Sequence, residues 1–365
     1  MAKIDIAIPC YNYGRFLRTC VTSVLSQSLQ DIRILILDNA STDDSLNIAR
    51  QLAREDSRVE VLAHPINIGP HANYNAGVEW ASSKYFFILD ADDLLAPGAL
   101  ERAVRIMEQH PNLAFTYGVE LRLEFGPDTM PVTGQIEEPD WSFQSGRDFI
   151  QTQIDSVVCV VGASTVIRRT SAQKAAGAYR ADLRFADDWE LWMRLAMVGD
   201  VGYTPAIQSI RRLHSNAQST IYDGNPASDY EEREAVFSSF FDHEGRQLPD
   251  AKRLMRAVRR NLAAKTYWSG LSHIVRGFPR QGAGLLKFCF ERRPEAIFLP
   301  PISHLAQMGD MAERLRDIAA EAFTGRPHGR WLRDREKLSV ILKDAAILKD
   351  AAASSMDNAQ HGPRQ

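Results

Sequence analysis

Short apolar runs alternate with segments of helical period through the first third of the chain. Ile4–Pro9 is a β-rich run, and Phe16–Ser28 follows with Phe16, Cys20, Val24 and Leu25 on one helical face. Ile32–Leu37 is apolar throughout, the pattern of a strand buried on both faces. Asp44–Glu55 returns to helical period, Val59–Ala63 to strand, His71–Ser82 to helix and Tyr85–Leu89 to buried strand. Gly98–His110 then predicts a helix and Leu113–Tyr117 a strand. This βαβαβα order predicts an α/β fold, a mostly parallel sheet flanked by helices. Such sheets bind ligands in the crevice beyond the carboxyl ends of their strands.

The pattern is less regular further on. Glu120–Trp141 is rich in Pro, Gly and acidic residues and reads as loop or irregular hairpin. Val157–Ile167 is β-branched and strand-like, Asp188–Val198 is an amphipathic helix, and Ser215–Ala227 is polar and breaker-rich. From Ser228 the period is helical, which divides the chain into a domain of residues 1–227, a helical region of 228–352 and a disordered tail of 353–365. ILKDAA occurs twice in tandem within an amphipathic segment, Trp331–Ala352. The helical region has two readings: it packs on the first domain as an acceptor-side platform or dimer face, or helices such as Leu254–Leu262, with arginines beside apolar residues, and Trp331–Ala352 rest on a membrane surface, the plain account of those arginines being a solvated helix face.

Bulk composition narrows the partners. A net charge of −3 over 365 residues argues against a nucleic-acid binder, which needs a basic field. Cys10, Cys20, Cys159 and Cys289 form no CxxC pair, which excludes a disulfide framework or structural zinc site and fits a reducing, cytoplasmic setting. The opening MAKIDIAIPC lacks the features of a signal peptide, and no apolar stretch is long enough to span a membrane.

Three acidic clusters carry the candidate chemistry. Asp38 directly follows the apolar run Ile32–Leu37; Asp90, Asp92 and Asp93 directly follow Tyr85–Leu89; Asp187 and Asp188 open the Asp188–Val198 helix. Carboxylates at the carboxyl ends of neighbouring parallel strands converge on one rim. Three within four residues repel unless a cation or donors compensate, and Mg2+ or Mn2+ suits an all-oxygen set that also bridges phosphates. Each cluster read singly also has a plain structural account: a turn and cap at Asp38, a solvated turn at Asp90–Asp93, a helix N-cap at Asp187 or Asp188.

Five segments stand in order along the chain: Ile8-Pro9-Cys10-Tyr11-Asn12, Asp38-Asn39-Ala40-Ser41-Thr42-Asp43, Asn67-Ile68-Gly69 with Asn75-Ala76-Gly77, Leu89–Asp93, and Asp187–Leu195. Taken together, they resemble glycosyltransferase family 2, inverting enzymes of the GT-A fold. The resemblance covers roughly residues 3–220 and leaves the helical remainder without a motif.

It implies a nucleotide-binding set of Pro9, Tyr11, Asn12, Asp38 and Asp92, with Asp38 reading the base. It implies a metal held by Asp92 and Asp93, with His214 either a further ligand or a structural histidine. Asp188 would be the general base that deprotonates an acceptor hydroxyl for single displacement at the anomeric carbon. Asp90, Asn75, Asp187, Trp189 and Arg212 would neighbour the donor diphosphate or the acceptor. Trp189 and Trp192 also read as core, and Arg211 and Arg212 as a solvated strand end. The implied partners are a nucleotide sugar, a UDP-sugar foremost, and a glycan or lipid-linked glycan acceptor in cell-surface polysaccharide synthesis. The chain departs from the pattern at Asn39, where a second Asp is common, at Tyr74, where Arg is common, and at Asp187, where Glu is common. A sugar nucleotidyltransferase would need a Gly-rich loop, which PCYNYGRFL lacks, and a non-catalytic sugar-nucleotide binder would not need all four of Asp38, Asp92, Asp93 and Asp188.

Overall fold

The computed structural model describes residues 2–126, 128–129, 140–184, 186–214, 226–302 and 316. One nine-stranded sheet organises the first part of the chain. Its strands are β1 (Ile4–Cys10), β2 (Ile32–Asp38), β3 (Val59–Ala63), β4 (Tyr85–Ile88), β5 (Leu94–Leu95), β6 (Leu113–Leu123), β7 (Ser142–Gln144), β8 (Ile167–Arg169) and β9 (Asp200–Arg212). The path runs β3-β2-β1-β4-β8-β6-β9-β5, with β7 beside β9. Strands β3, β2, β1 and β4 are mutually parallel, β8 runs against β4 and β6, and β6 and β9 are parallel again.

The apolar runs explain the parallel half. Ile4, Ile6, Ile8, Ile34, Ile36, Tyr85 and Phe87 are at most lightly exposed and join one core with Leu17, Val21, Val24, Leu100 and Val104. These last five lie on α1 (Gly14–Leu25) and α4 (Ala99–Gln109). Two further helices, α2 (Ser45–Glu55) and α3 (Pro70–Trp80), complete the βα repeats. The two glycines of the Asn-x-Gly pair serve different ends. Gly69 has φ +84° and makes the turn into α3, whereas a Cβ on Gly77 would come within 2.8 Å of the Ala7 Cβ, so α3 can lie close on β1.

Helices α5 (Gly146–Ser156), α6 (Thr170–Ala176) and α7 (Asp187–Ala196) follow. The stretch expected as a strand over Val157–Ile167 is instead a left-handed turn at Val157, an irregular path, a 3-10 turn at Ala163–Thr165 and only then β8. Val160 is exposed there, so the β-branched run does not signal burial. Strand β6 runs six residues past Tyr117 because β9, which the hydrophobic pattern alone did not announce, gives it a partner.

Contacts divide the described residues into two units, one reaching residue 214 and taking in 228–261, the other holding 226–227 and 262–302. The division expected at 227 thus gains 34 residues on the first side, 228–261. The reason is packing: on α8 (Pro226–Asp242), Val236, Phe237 and Phe240 are fully buried, and Phe237 stacks edge-on against Trp189 at 5.1 Å. On α9 (Ala251–Val275), Leu254, Val258 and Leu262 are buried, so the stripe a membrane-surface reading requires is already covered. Within the second unit, Gly282 of α10 (Pro279–Arg292) meets Gly270 so closely that an added Cβ would lie 2.6 Å from the Gly270 carbonyl oxygen. Ala263, Cys289 and Ala296 form its small core. No helix among the described residues is long and apolar enough to cross a membrane, and all four cysteines are unpaired. The expected loop Ser215–Ala227 up to residue 225, the segment Trp331–Ala352 and the tail 353–365 lie outside the described residues.

Candidate active site

The carboxyl ends of β1, β2 and β4 and the first turns of α1, α2 and α3 make one rim. Asp43 ties it together: Oδ2 accepts from the Gly14 N–H at 3.1 Å and Oδ1 from the Ser45 N–H at 3.0 Å, so one carboxylate caps both α1 and α2. Asn12, at φ 60°, accepts from the Thr42 N–H at 2.8 Å, which closes the β1 loop onto the β2 loop. Asn39 accepts from the Ile68 N–H at 2.9 Å and donates to Asn67 at 3.1 Å, bracing the turn before α3.

Two cavities open along this rim. The first, about 280 Å3, is bounded by Pro9, Tyr11, Tyr13, Asn39, Asp90 and Asp92, among others. The second, about 300 Å3, is bounded by Glu120, Arg122, Ser164, Tyr179, Asp187 and Asp188, among others. Pro70, Tyr74, Asp90, Asp93 and Arg211 line both, so the two spaces meet at these residues.

Asp38, expected to read the base, is 1% exposed and does not itself line the first cavity, although its neighbour Asn39 does; its Oδ2 accepts from the Ser41 N–H at 3.2 Å while Oδ1 has no bond partner among the described residues. A buried carboxylate oxygen left without a donor costs free energy unless a ligand supplies one. Asp90 accepts from the Tyr74 hydroxyl at 3.1 Å, and burial, then the neighbouring Asp92, raises its carboxyl to about 6. Asp92 pairs with His214 Nε2 at 3.0 Å, and His214 Nδ1 is buried without a partner among the described residues. Asp93 is spoken for on both oxygens, by the Ser164 hydroxyl at 2.7 Å and the Arg212 N–H at 3.2 Å.

Among the described residues no group of three or more His, Cys, Asp or Glu is arranged to hold a metal ion by itself. Asp92 with His214 and the nearby Asp90 still fits a hard divalent cation of the kind bound through one or two carboxylates and completed by substrate phosphates and water.

The second cavity takes its acids from α7. Glu190, fully buried, accepts from Arg194 Nε at 2.7 Å and pairs with Arg180, which also grips Glu244. This network fixes the helix and so aims its first turn, Asp187 and Asp188, into the space. Burial pushes both carboxyls up to about 7, with Asp187 adding to the effect on Asp188. Asp187 lies 3.5 Å from His71 Nε2, which also contacts the Leu183 carbonyl oxygen at 2.8 Å.

Three residues expected beside the donor or acceptor sit behind the walls instead. Asn75 clamps the Tyr179 backbone with two bonds, of 3.0 and 2.7 Å. Trp189 is 2% exposed and donates to Gln153 at 2.9 Å. Arg212 is 1% exposed, stacks over Phe125 at 3.9 Å and Phe16 at 4.6 Å, and donates to the Asp92 carbonyl at 3.1 Å. Strand alternation explains this last case, because adjacent residues on β9 face opposite sides and it is Arg211 that reaches the cavities. The sequence held that signal, the two-residue period of Ser209 to Arg212, once β9 is recognised. It held none for Glu120 or Ser164 as wall residues, while Tyr74 stood out only as a departure from the family pattern.

Residues 5–175 match the family model described as Glycosyl transferase family 2. A stretch of 118 residues is 37% identical to an uncharacterized glycosyltransferase of Haemophilus influenzae, covering 32% of this chain and 47% of that one. A stretch of 216 residues is 26% identical to the chondroitin synthase of Pasteurella multocida, covering 59% of this chain and 21% of that one. The chain thus spans about half of the first relative and about a fifth of the second. Its fold is similar to that of S. aureus TarS 1-349 in complex with UDP-GlcNAc, with a TM-score of 0.58 over 89% of this chain and 92% of that one at 15% identity. The architecture is therefore that of the GT-A glycosyltransferases.

Proposed function

Because residues 5–175 belong to glycosyl transferase family 2, we propose that this chain moves a sugar from a nucleotide diphosphate donor, a UDP-sugar, onto a hydroxyl of a glycan or lipid-linked glycan. The observation that carries the proposal is the meeting of the two cavities: Asp90 and Asp93 line both, and Asp188 faces them within the second. The TarS complex with UDP-GlcNAc supports the donor class, and the likeness to a chondroitin synthase supports a polysaccharide acceptor.

In this reading the first cavity takes the nucleotide. Asp38 Oδ1, without a donor among the described residues, accepts an N–H from the base behind Asn39, while Pro9 and Tyr11 line the cavity itself. Asp92 and His214 would hold Mg2+ or Mn2+, and Asp93 fixes the segment that presents Asp92. When bound, the ion neutralises charge that grows on the departing diphosphate. Arg211 adds a fixed positive charge at the junction. The acceptor enters the second cavity, and Asp188 takes the proton of its attacking hydroxyl. Attack from the face opposite the diphosphate inverts the anomeric carbon. A carboxyl poised near 7 suits a base working at neutral pH, since it is ionised in a large fraction of molecules yet basic enough to accept a proton.

The test is a panel of nucleotide sugars incubated with Mg2+ or Mn2+, read by release of nucleotide diphosphate with and without glycan acceptors. Release from one donor by the native chain and its loss in Asp188→Asn supports the reading. No release from any donor, or equal release by Asp188→Asn, overturns it.

A further inference from the structure

Arg211 stands where the two cavities join, facing Asp90 and Asp93 on one side and Asp188 on the other. A long, flexible cation in that place would fold onto whichever carboxylate is nearest. Something must hold it back, and the neighbouring strand supplies it. β6 and β9 run parallel with Glu120 opposite Ser209 and Arg122 opposite Arg211. Paired residues in a sheet share a face, so Glu120, Arg122 and Arg211 lie together. The Glu120 side chain is 7% exposed; its Oε1 accepts from Arg122 Nε at 2.9 Å and lies 3.8 Å from Arg211 Nη1. Its other oxygen is pressed against Gly162, where an added Cβ would come within 2.7 Å of Oε2. Oε1 is thus engaged by both arginines while Oε2 lies against Gly162.

We propose that Glu120 is a positioning residue: backed by Gly162 and steadied by Arg122, it anchors Arg211 at the junction of the cavities, where the guanidinium meets the diphosphate. The inference rests on the reading of the first cavity as a nucleotide diphosphate site.

A double-mutant cycle on the full chain tests it, with Glu120→Gln, Arg211→Ala and the pair, each checked for a native melting profile. UDP binding is measured by calorimetry and sugar transfer as kcat and KM. Glu120→Gln should weaken UDP binding and lower kcat by roughly tenfold, the size of coupling usual for contacting charges. In the Arg211→Ala background it should have no further effect, because its only route is through Arg211. Gly162→Ala, which displaces Glu120 without removing its charge, should act in the same direction. Independent, multiplying effects of the two substitutions overturn the proposal, as does UDP binding equally tight in all variants. A native chain that binds UDP with the expected cycle but transfers no sugar leaves the positioning role standing and removes the reaction assigned above.

Discussion

Two carboxylates at opposite ends of the same sheet show how one fold treats the same side chain in two ways. Asp5 is the second residue of β1 and is 0% exposed. Its oxygens accept from Arg33 at 3.0 Å on both, from the Ser82 and Ser83 N–H groups at 2.7 and 2.8 Å, and from the Ser83 hydroxyl at 2.6 Å. Burial alone would raise this carboxyl, but the bonds outweigh it and hold it below the ordinary value. Asp188, only half-buried by surface but deep in its cavity, accepts a short-range bond from its neighbour Trp189 at 2.6 Å, and burial raises it to about 7. At the amino end of the sheet both Asp5 oxygens are answered by donors. At the carboxyl end Asp38 Oδ1 and His214 Nδ1 have no partner among the described residues. A folded chain that leaves such groups unanswered gives up stability there, a pattern expected of a ligand site.

The contrast can be broken by experiment. The largest effect belongs to Asp188→Asn, which should cut sugar transfer by about a thousandfold, within the range for a lost general base, while leaving UDP affinity unchanged in calorimetry. Chelation of divalent ions, or Asp92→Asn, should weaken UDP binding by about ten- to a hundredfold, read by the same titration with and without Mn2+. Asp5→Asn should do the reverse of Asp188→Asn. It should cost roughly 2 kcal/mol of stability in urea unfolding, because bonds to a buried carboxylate are lost, and leave kcat of the folded enzyme as it was.

The pH dependence sharpens the same comparison. The folded Asp188 carboxyl is raised, so its stabilising proton is fully bound below the ordinary carboxylate value and lost as pH climbs through about 7. Asp188→Asn should therefore melt higher than the native chain at pH 8 and by a smaller margin at pH 5. Transfer, which needs the ionised form, should fall along an acid limb centred near 7. Asp5 is lowered, so its contribution holds at neutral pH and disappears only as pH falls below the ordinary value of 3.8. Smallest of all, Arg212→Lys should lower the melting temperature by a few degrees through lost stacking on Phe16 and Phe125, with little change in KM for the donor.

The parallel half of the sheet was legible because Ile32–Leu37 and Tyr85–Leu89 are apolar on both faces, a pattern few other structures need. The acids that follow those runs were legible as candidates for the same reason: a strand end fixes their place. β9 was not, since its stretch mixes Thr, Pro, Gln and Ser with apolar residues and draws its strand character from pairing with β6, a partner more than 75 residues earlier at every paired position. Arg212 and Trp189 read as site residues because sequence proximity to Arg211 and Asp188 says nothing about facing. The burial of Arg212 against α1 needs tertiary contact to see.

The β6–β9 pairing also governs how this chain can change length. Its register slips between Leu113 and Phe115, between Tyr117 and Val119, and between Val119 and Glu120, yet is regular from Glu120 to Leu123. A single inserted or deleted residue upstream of Glu120 can be absorbed at those irregular points. One inserted between Ser209 and Arg212 would exchange the outward and inward arginines at a stroke, turning the solvent-side cation into the core and the stacked one into the cavity. Length variation among distant relatives should therefore gather near residues 113–119 and avoid 209–212, and an alignment that opens a gap in the second interval has misplaced the site.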